Sequence, residues 1–304
     1  MLRESTNHAW RIVVGGFVFA IGLVVSRLAL QFVGVSPPRM PAQAGEAIAG
    51  YYLLAGSIAL AAGMVMSSQG IRGTVPIRWL VLSTFVFIGF GVSSTVETAI
   101  YSSIDGVLWM VPALFLPCLL LAGINAALLK SPLTEALPTR AVGEALRRRT
   151  WVQWSLRGLG ATAAFPVIYF VFGMIVSPVV SQYYEQGVSG LALPEPAVIV
   201  TTQFLRGALQ LLAVLPVIVF WNGSKRKLVV AIALAFFVFV AAYDIVLAYR
   251  VPIVLAVIHG IEVLVTSLIY SWVLVILLAP EWPERGSGAT AEQQHAADGA
   301  TRRR

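Results

Sequence analysis

Apolar residues dominate this chain in long runs separated by short polar stretches. The runs lie at about 11–34, 46–68, 76–100, 106–130, 158–181, 197–221, 227–248 and 252–279. Each is near the roughly 20 residues that carry an α-helix across a bilayer's hydrocarbon core. Ser36-Pro37-Pro38 follows the first run, and Gln69-Gly70 follows the second. Pro76 opens the third, Pro252 opens the eighth and Pro280 closes it, positions where a helix start or stop accommodates proline. Pro112, Pro117, Pro166, Pro178 and Pro216 fall inside runs; Pro112, Pro117, Pro166 and Pro216 predict kinks rather than breaks, since bilayer helices tolerate proline. The pattern predicts an all-α fold, a polytopic integral membrane bundle of eight transmembrane helices.

Composition points the same way. The chain is 58% hydrophobic and 12% charged, with a mean hydropathy of +0.84. That charged fraction is about half of what a soluble domain carries. The first run is too long for a signal-peptide core and lacks a small-x-small exit, so it reads as a retained helix. The resulting organisation is a cytoplasmic N-terminus (1–10), helices one to four (11–130), a basic loop (131–157), helices five to eight (158–280) and a polar tail (281–304) expected to be disordered.

The net charge of +7 would suit a nucleic-acid binder if the basic residues shared a surface with aromatics. They sit in short loops instead. Arg72 and Arg78 follow the second run. Lys130, Arg140, Arg147, Arg148, Arg149 and Arg157 follow the fourth, and Lys225, Arg226 and Lys227 follow the sixth. The alternate loops hold only Arg39 and Arg250, among Glu46, Asp105, Glu185 and Glu195. By the positive-inside rule both termini are cytoplasmic and the protein resides in the plasma (inner) membrane. Nucleic acid is excluded as a partner and the lipid bilayer is expected as one. In the long loop, Val142, Leu146, Trp151 and Trp154 interleave with Arg147, Arg148 and Arg149, which predicts a short interfacial helix facing anionic lipid; docking of a cytoplasmic partner is the alternative.

A faint repeat runs through the chain. Ser68-Gln-Gly-Ile-Arg precedes the third run and Asn222-Gly-Ser-Lys-Arg the seventh. The distance from Arg78 to Glu97 equals that from Lys225 to Asp244. This makes a 4+4 parallel repeat a candidate organisation, one that in transporters places the site between halves; the remaining runs align poorly, and any two cytoplasmic turns followed by spans share such features.

Six ionisable residues interrupt the apolar runs: Arg27, Glu97, Arg206, Asp244, His259 and Glu262. A charge at the centre of a span costs about 2.5–3.5 kcal/mol on insertion scales, so such residues pair, line a cavity or serve function. At 1.5 Å per residue all six fall in the outer half. Arg27 lies roughly 10 Å in, Arg206 roughly 12 Å, His259 roughly 10 Å and Glu262 roughly 15 Å, whereas Glu97 and Asp244 lie about 5–6 Å below the outer surface. Gln31 stacks on Arg27, and Gln203 and Gln210 flank Arg206 at helical spacing. His259, Glu262, Thr266 and Tyr270 follow i, i+3, i+7, i+11 spacing, one face of a helix. Arg27, Gln203, Arg206, His259 and Glu262 are therefore the candidate substrate-binding or proton-coupling residues, with Glu97 and Asp244 at the rim.

No cofactor or metal is expected. The chain has one cysteine, Cys118, and lacks His-Glu-x-x-His, a phosphate-binding glycine loop and Gly-x-Ser-x-Gly. Opposite charges in one layer suit binding or transport of a small polar, anionic or amphiphilic solute, with Arg206 and Arg27 on its anionic group and His259 and Glu262 handling protons. An intramembrane enzyme acting on a lipid or isoprenoid, with Glu262 or His259 as acid/base, is the alternative. A non-catalytic subunit or sensor held by a structural charge network is the third reading.

Overall fold

A computed structural model describes residues 2–35, 46–102, 106–128, 147, 149–188, 191–247 and 252–279. The described residues form eight long helices: α1 (Leu2–Phe32), α2 (Glu46–Ser68), α3 (Val75–Tyr101), α4 (Val107–Leu128), α5 (Trp151–Glu185), α6 (Pro196–Phe220), α7 (Lys225–Leu247) and α8 (Ile253–Leu278). Among the described residues, seven helices are long and apolar enough to cross a membrane, all but α7. The protein is a multi-pass helical membrane protein. The predicted tail (281–304), most of the loop 129–148 and the side chain of Asp244 lie outside the described residues.

Local chemistry sets the helix starts. Thr150 accepts from the Gln153 backbone while the Gln153 side chain accepts from the Thr150 backbone, a capping box that satisfies two otherwise orphan donors. Trp151 and Trp154 therefore belong to the first turns of α5, which runs unbroken from there; the stretch 129–146, on which most of the predicted interfacial helix falls, lies outside the described residues. Gly73 has φ +120° in the turn before α3, and Gly106 has φ +73° before α4, left-handed conformations that glycine alone adopts cheaply. Within α3, residues Phe87–Val92 form a π-helical segment. α4, α5 and α6 continue through Pro117, Pro166, Pro178 and Pro216.

The helices close a ring by neighbour contacts: α4 with α3, α3 with α6, α6 with α5, α5 with α8, α8 with α7, α7 with α2, α2 with α1, and α1 with α4. Its middle is filled by Leu60, Met64, Phe85, Phe90, Val217, Ile232, Phe236 and Phe239. Phe239 packs on Phe85 at 5.0 Å and Phe90 at 6.3 Å, in reach of aromatic pair attraction. A Cβ at Gly89 would meet Phe239 at 2.9 Å, so the π segment leaves room for this ring.

At the end of the bundle carrying Arg72 and Lys225, here the basic end, the two inter-helix turns meet. Ile71 and Trp221 form an antiparallel bridge. Arg72 N donates to Phe220 O at 2.9 Å and Asn222 N donates to Gly70 O at 2.8 Å. These two bonds are images of each other under a shift of 150 residues (221 minus 71). The same shift relates Ile71-Arg-Gly-Thr to Trp221-Asn-Gly-Ser, and the start of α2 at Glu46 to that of α6 at Pro196.

Arginines close two helix ends. Arg78 on α3 is buried and donates to Ala126 O at 2.6 Å and Asn125 O at 3.4 Å, in the last turn of α4. Arg157 donates to Leu277 O at 2.7 Å, and Arg149 to Leu278 O at 3.2 Å and Ala279 O at 3.1 Å, at the end of α8. Residues read from sequence as orientation signals thus also meet the orphan carbonyls and negative dipole end of a helix.

Candidate functional site

α6 carries a buried polar face. Gln203, Arg206 and Gln210 are 0%, 4% and 6% exposed, one above another at helical spacing. Arg206 Nη2 lies 2.9 Å from Glu97 Oε2 on α3. Its Nη1 donates to Gln203 Oε1 at 3.3 Å. Gln203 Nε2 donates to the Tyr101 hydroxyl at 2.9 Å, which shares a 2.9 Å hydrogen bond with the Tyr169 hydroxyl of α5. The Phe165 ring lies 5.5 Å from the Arg206 guanidinium carbon, a cation–π distance. One hydrogen-bonded chain therefore ties α3, α5 and α6 together.

The chain has an open side and unused capacity. The Glu97 side chain is 27% exposed against 5% for Arg206. Arg206 Nε and Gln210 Oε1 are buried without a hydrogen-bond partner, a state that costs about 1–3 kcal/mol per group unless a bound polar molecule answers it. Thr266 Oγ1 on α8 is in the same state.

α8 supplies a second pair. His259 Nδ1 lies 3.3 Å from Glu262 Oε2, with side chains 33% and 11% exposed. Val257, Ile261, Leu264, Leu268 and Trp272 form the exposed apolar row of this helix. His259, Glu262, Thr266 and Tyr270 lie on the opposite side by helical geometry.

Tyr270 fixes the relation between the two groups. Its hydroxyl donates to Gly207 O at 3.2 Å, and its ring packs on Phe165 at 5.0 Å. That contact is level with Arg206. Glu262 lies eight residues nearer the start of α8, about 12 Å along the axis. Phe165 and Tyr270 thus pack at the level of Arg206, and Tyr169 on α5 and Thr266, Glu262 and His259 on α8 lie beyond that contact, away from the basic end. At the end away from the basic loops, Ala192 N donates to Tyr101 O at 3.0 Å and Ser102 bridges Leu191, which ties the segment after α5 to the end of α3.

The structure brings Glu97, Gln203 and Arg206 into one network and His259 and Glu262 into a separate pair. It does not bring Arg27 to either. Arg27 and Gln31 are exposed on the side of α1 away from its buried Phe19 and Ser26. They do stack, but glycines and Ser26 form the packing face of α1, as small residues do in membrane helices. Tyr101, Phe165 and Tyr169 escape a search for charges; Tyr101 stands one turn past Glu97, and that spacing was the available signal. Among the described residues no group of three or more His, Cys, Asp or Glu could hold a metal ion.

Comparison with known families, curated proteins and solved structures found no match to this chain.

Proposed function

We propose that this protein is a carrier of the inner membrane that takes a small solute with a polar or charged group into a vestibule between α3 and the helices of its second half. Eight spans in two parallel four-helix halves, with both termini cytoplasmic, complete the reading. The mirrored hydrogen bonds at Ile71 and Trp221 support the halves. So does the packing: α1 lies between α2 and α4 as α5 lies between α6 and α8, and α2–α7 answers α6–α3. Under the 150-residue register Glu97 and Asp244 are not counterparts, so their equal spacing from basic residues is coincidental. The polar positions Gln203, Arg206 and Tyr169 fall opposite Leu53, Gly56 and Phe19, so the site, which Glu97 and Tyr101 of α3 complete, has no counterpart under that register.

The observation that carries the reading is the part-open Glu97–Arg206 pair beside a buried, unpartnered Arg206 Nε and Gln210 Oε1. Polar groups left unmatched in an apolar bundle favour a ligand that completes them. The aromatic packing of Phe85, Phe236 and Phe239 and the bridged turns close the basic end, as an inner gate would. In this reading the vestibule opens outward, and Arg27 is not part of it.

The test is charge displacement in proteoliposomes on a solid-supported membrane, pulsed with amine, zwitterionic and carboxylate solutes. At least one class should give a transient current that Arg206→Gln and Glu97→Gln abolish while the protein stays folded and monodisperse. Silence with every class, or currents indifferent to both variants, contradicts the proposal. A structural clamp is the second reading, favoured by the mutual pairing of Arg206, Gln203 and Glu97; it expects the variants to lose stability with no solute response to lose.

A further inference from the structure

We infer that the π segment of α3 is a register switch: a one-residue slip of residues 93–97 carries Glu97 away from Arg206 and brings Val96 into its place. Its use in transport rests on the ligand-site reading above, whereas the slip itself is tested without a solute.

A π turn holds one residue more than the α-helix around it needs. In α3 that spare residue lies at Phe87–Val92, between the aromatic core and the residues that meet α6. Both ends of the helix are pinned. Toward the basic end, Arg78 donates to Ala126 O at 2.6 Å and Phe85 packs on Phe239 at 5.0 Å. At the far end, Tyr101 O accepts from Ala192 N at 3.0 Å, and the Tyr101 hydroxyl accepts from Gln203 Nε2 at 2.9 Å. With both ends fixed the spare residue cannot leave the helix. It can pass along it and lodge in the last turn, beyond Glu97. The residues it passes, 93–97, each advance by one helical position, about 100° and 1.5 Å.

The sequence accepts that slip. Ser93 takes the place of Ser94, Ser94 that of Thr95, and Thr95 that of Val96. The first exchange is an identity and the other two nearly keep shape. Ser93, Ser94 and Thr95 are buried, where a close-packed surround feels any larger change. The Thr95 hydroxyl donates to Gly91 O at 2.7 Å and the Ser93 hydroxyl to Ile88 O at 3.0 Å. These bonds stay within α3, so the slip tears neither hydroxyl from a neighbouring helix.

The next step changes the chemistry. Val96 comes opposite Arg206, and Glu97 enters the place of the buried Thr98. Burying that carboxylate, and putting Val92 where Ser93 stood, both carry a cost. The slipped register is therefore the minor one in the resting protein. It frees Arg206 Nη2 next to Nε, which has no hydrogen-bond partner. Those two N–H groups form a fork that takes two oxygens side by side. Solute oxygens on the fork hold the slipped register, and the return of Glu97 displaces them.

A residue exchange tests the slip. Glu97→Val strands Arg206 and should lower the folded-to-unfolded ratio in mild detergent at least about a hundredfold. With Val96→Glu added, the slip brings the new carboxylate to Arg206 and puts valine where Thr98 stood, so most of that loss should be recovered. Deleting Val92 removes the spare residue and leaves Glu97 facing Arg206. In the shortened chain Val96→Glu should recover nothing. No recovery in the full-length chain overturns the inference. So does equal recovery in the shortened chain, where the carboxylate would be reaching Arg206 without a slip. If the shortened chain does not fold, amide exchange decides: in the doubly substituted chain the less protected π turn should move from 87–92 to beyond residue 97, and its staying at 87–92 overturns the slip. In the solute assay above, deletion of Val92 should cut the currents at least tenfold with the Arg206–Glu97 pair intact. Undiminished currents remove the switch from transport. Currents absent from every chain remove the solute site instead and leave the slip to the stability result.

Discussion

Arg206 Nη2 sits 2.9 Å from Glu97 Oε2, and the two residues belong to helices from different halves of the chain. The pair is buried on the arginine side only. Breaking it strands a guanidinium in an apolar bundle, where removal of one partner of a buried pair costs about 3–5 kcal/mol. Glu97→Gln does this; Arg206→Gln leaves instead a partly exposed carboxylate that water can meet, and should cost less, about 1–2 kcal/mol. Urea- or heat-driven unfolding in mild detergent checks the difference, and equal costs for Glu97→Gln and Arg206→Gln would show that the pair is solvated.

Tyr101 and Tyr169 share one hydrogen bond between hydroxyls. Tyr101→Phe and Tyr169→Phe should each destabilise the protein by about 1 kcal/mol. Because Tyr101 also receives the Gln203 amide, Tyr101→Phe should be the costlier. The double variant should be less than additive in a double-mutant cycle, and full additivity would mean the hydroxyls do not meet.

Gly207 lets α6 pass α5 closely, since a Cβ there would lie 2.5 Å from Thr162 O and 3.1 Å from Phe165 Cβ. Gly207→Ala must push against backbone, and overpacking of this kind costs about 1–3 kcal/mol. The same change displaces Phe165 from beside Arg206, so solute response should fall with stability. Gly173→Ala, in open space inside a helix, serves as the control and should leave the solute response unchanged while raising stability by up to about 1 kcal/mol.

Arg157 donates to Leu277 O at 2.7 Å at the end of α8. Arg157→Ala should loosen that end by about 1–2 kcal/mol, the worth of a charge-assisted bond at a helix C-terminus. Amide exchange over residues 274–279 should quicken while exchange over 253–262 stays as it is. Uniform quickening along α8 would point to global unfolding instead.

The spans are legible because lipid rewards continuous hydrophobicity, and α2 lies at Glu46–Ser68, where the pattern places it. Polar helical extensions are not: α1 begins at Leu2 and α5 at Trp151, well before their apolar runs. The α5 start had a readable signal in Thr150 and Gln153, a capping-box pair. The Arg206 face is legible through Gln203 and Gln210 because helical spacing stacks them. Which way a stack faces is not, as Arg27 and Gln31 demonstrate. Facing depends on neighbours, and the glycines of α1 settle it there. The π segment at Phe87–Val92 leaves no mark in hydropathy. The 150-residue register hides in two four-residue turns, Ile-Arg-Gly-Thr and Trp-Asn-Gly-Ser, too short to stand out before the bridge between them is seen.

The central claim is a vestibule between α3 and the second-half helices that reaches Glu262 from outside and has no counterpart under the 150-residue register. Single cysteines in a Cys118→Ala background test it most directly, read by a membrane-impermeant maleimide added to sealed right-side-out vesicles. Glu262→Cys should label more slowly than Leu193→Cys, an exposed position beyond the helices, but measurably, whereas Ala113→Cys, at a 1% exposed position on α4, should stay unlabelled. If Glu262→Cys proves as inert as Ala113→Cys in folded protein, there is no outward vestibule and the carrier reading is wrong.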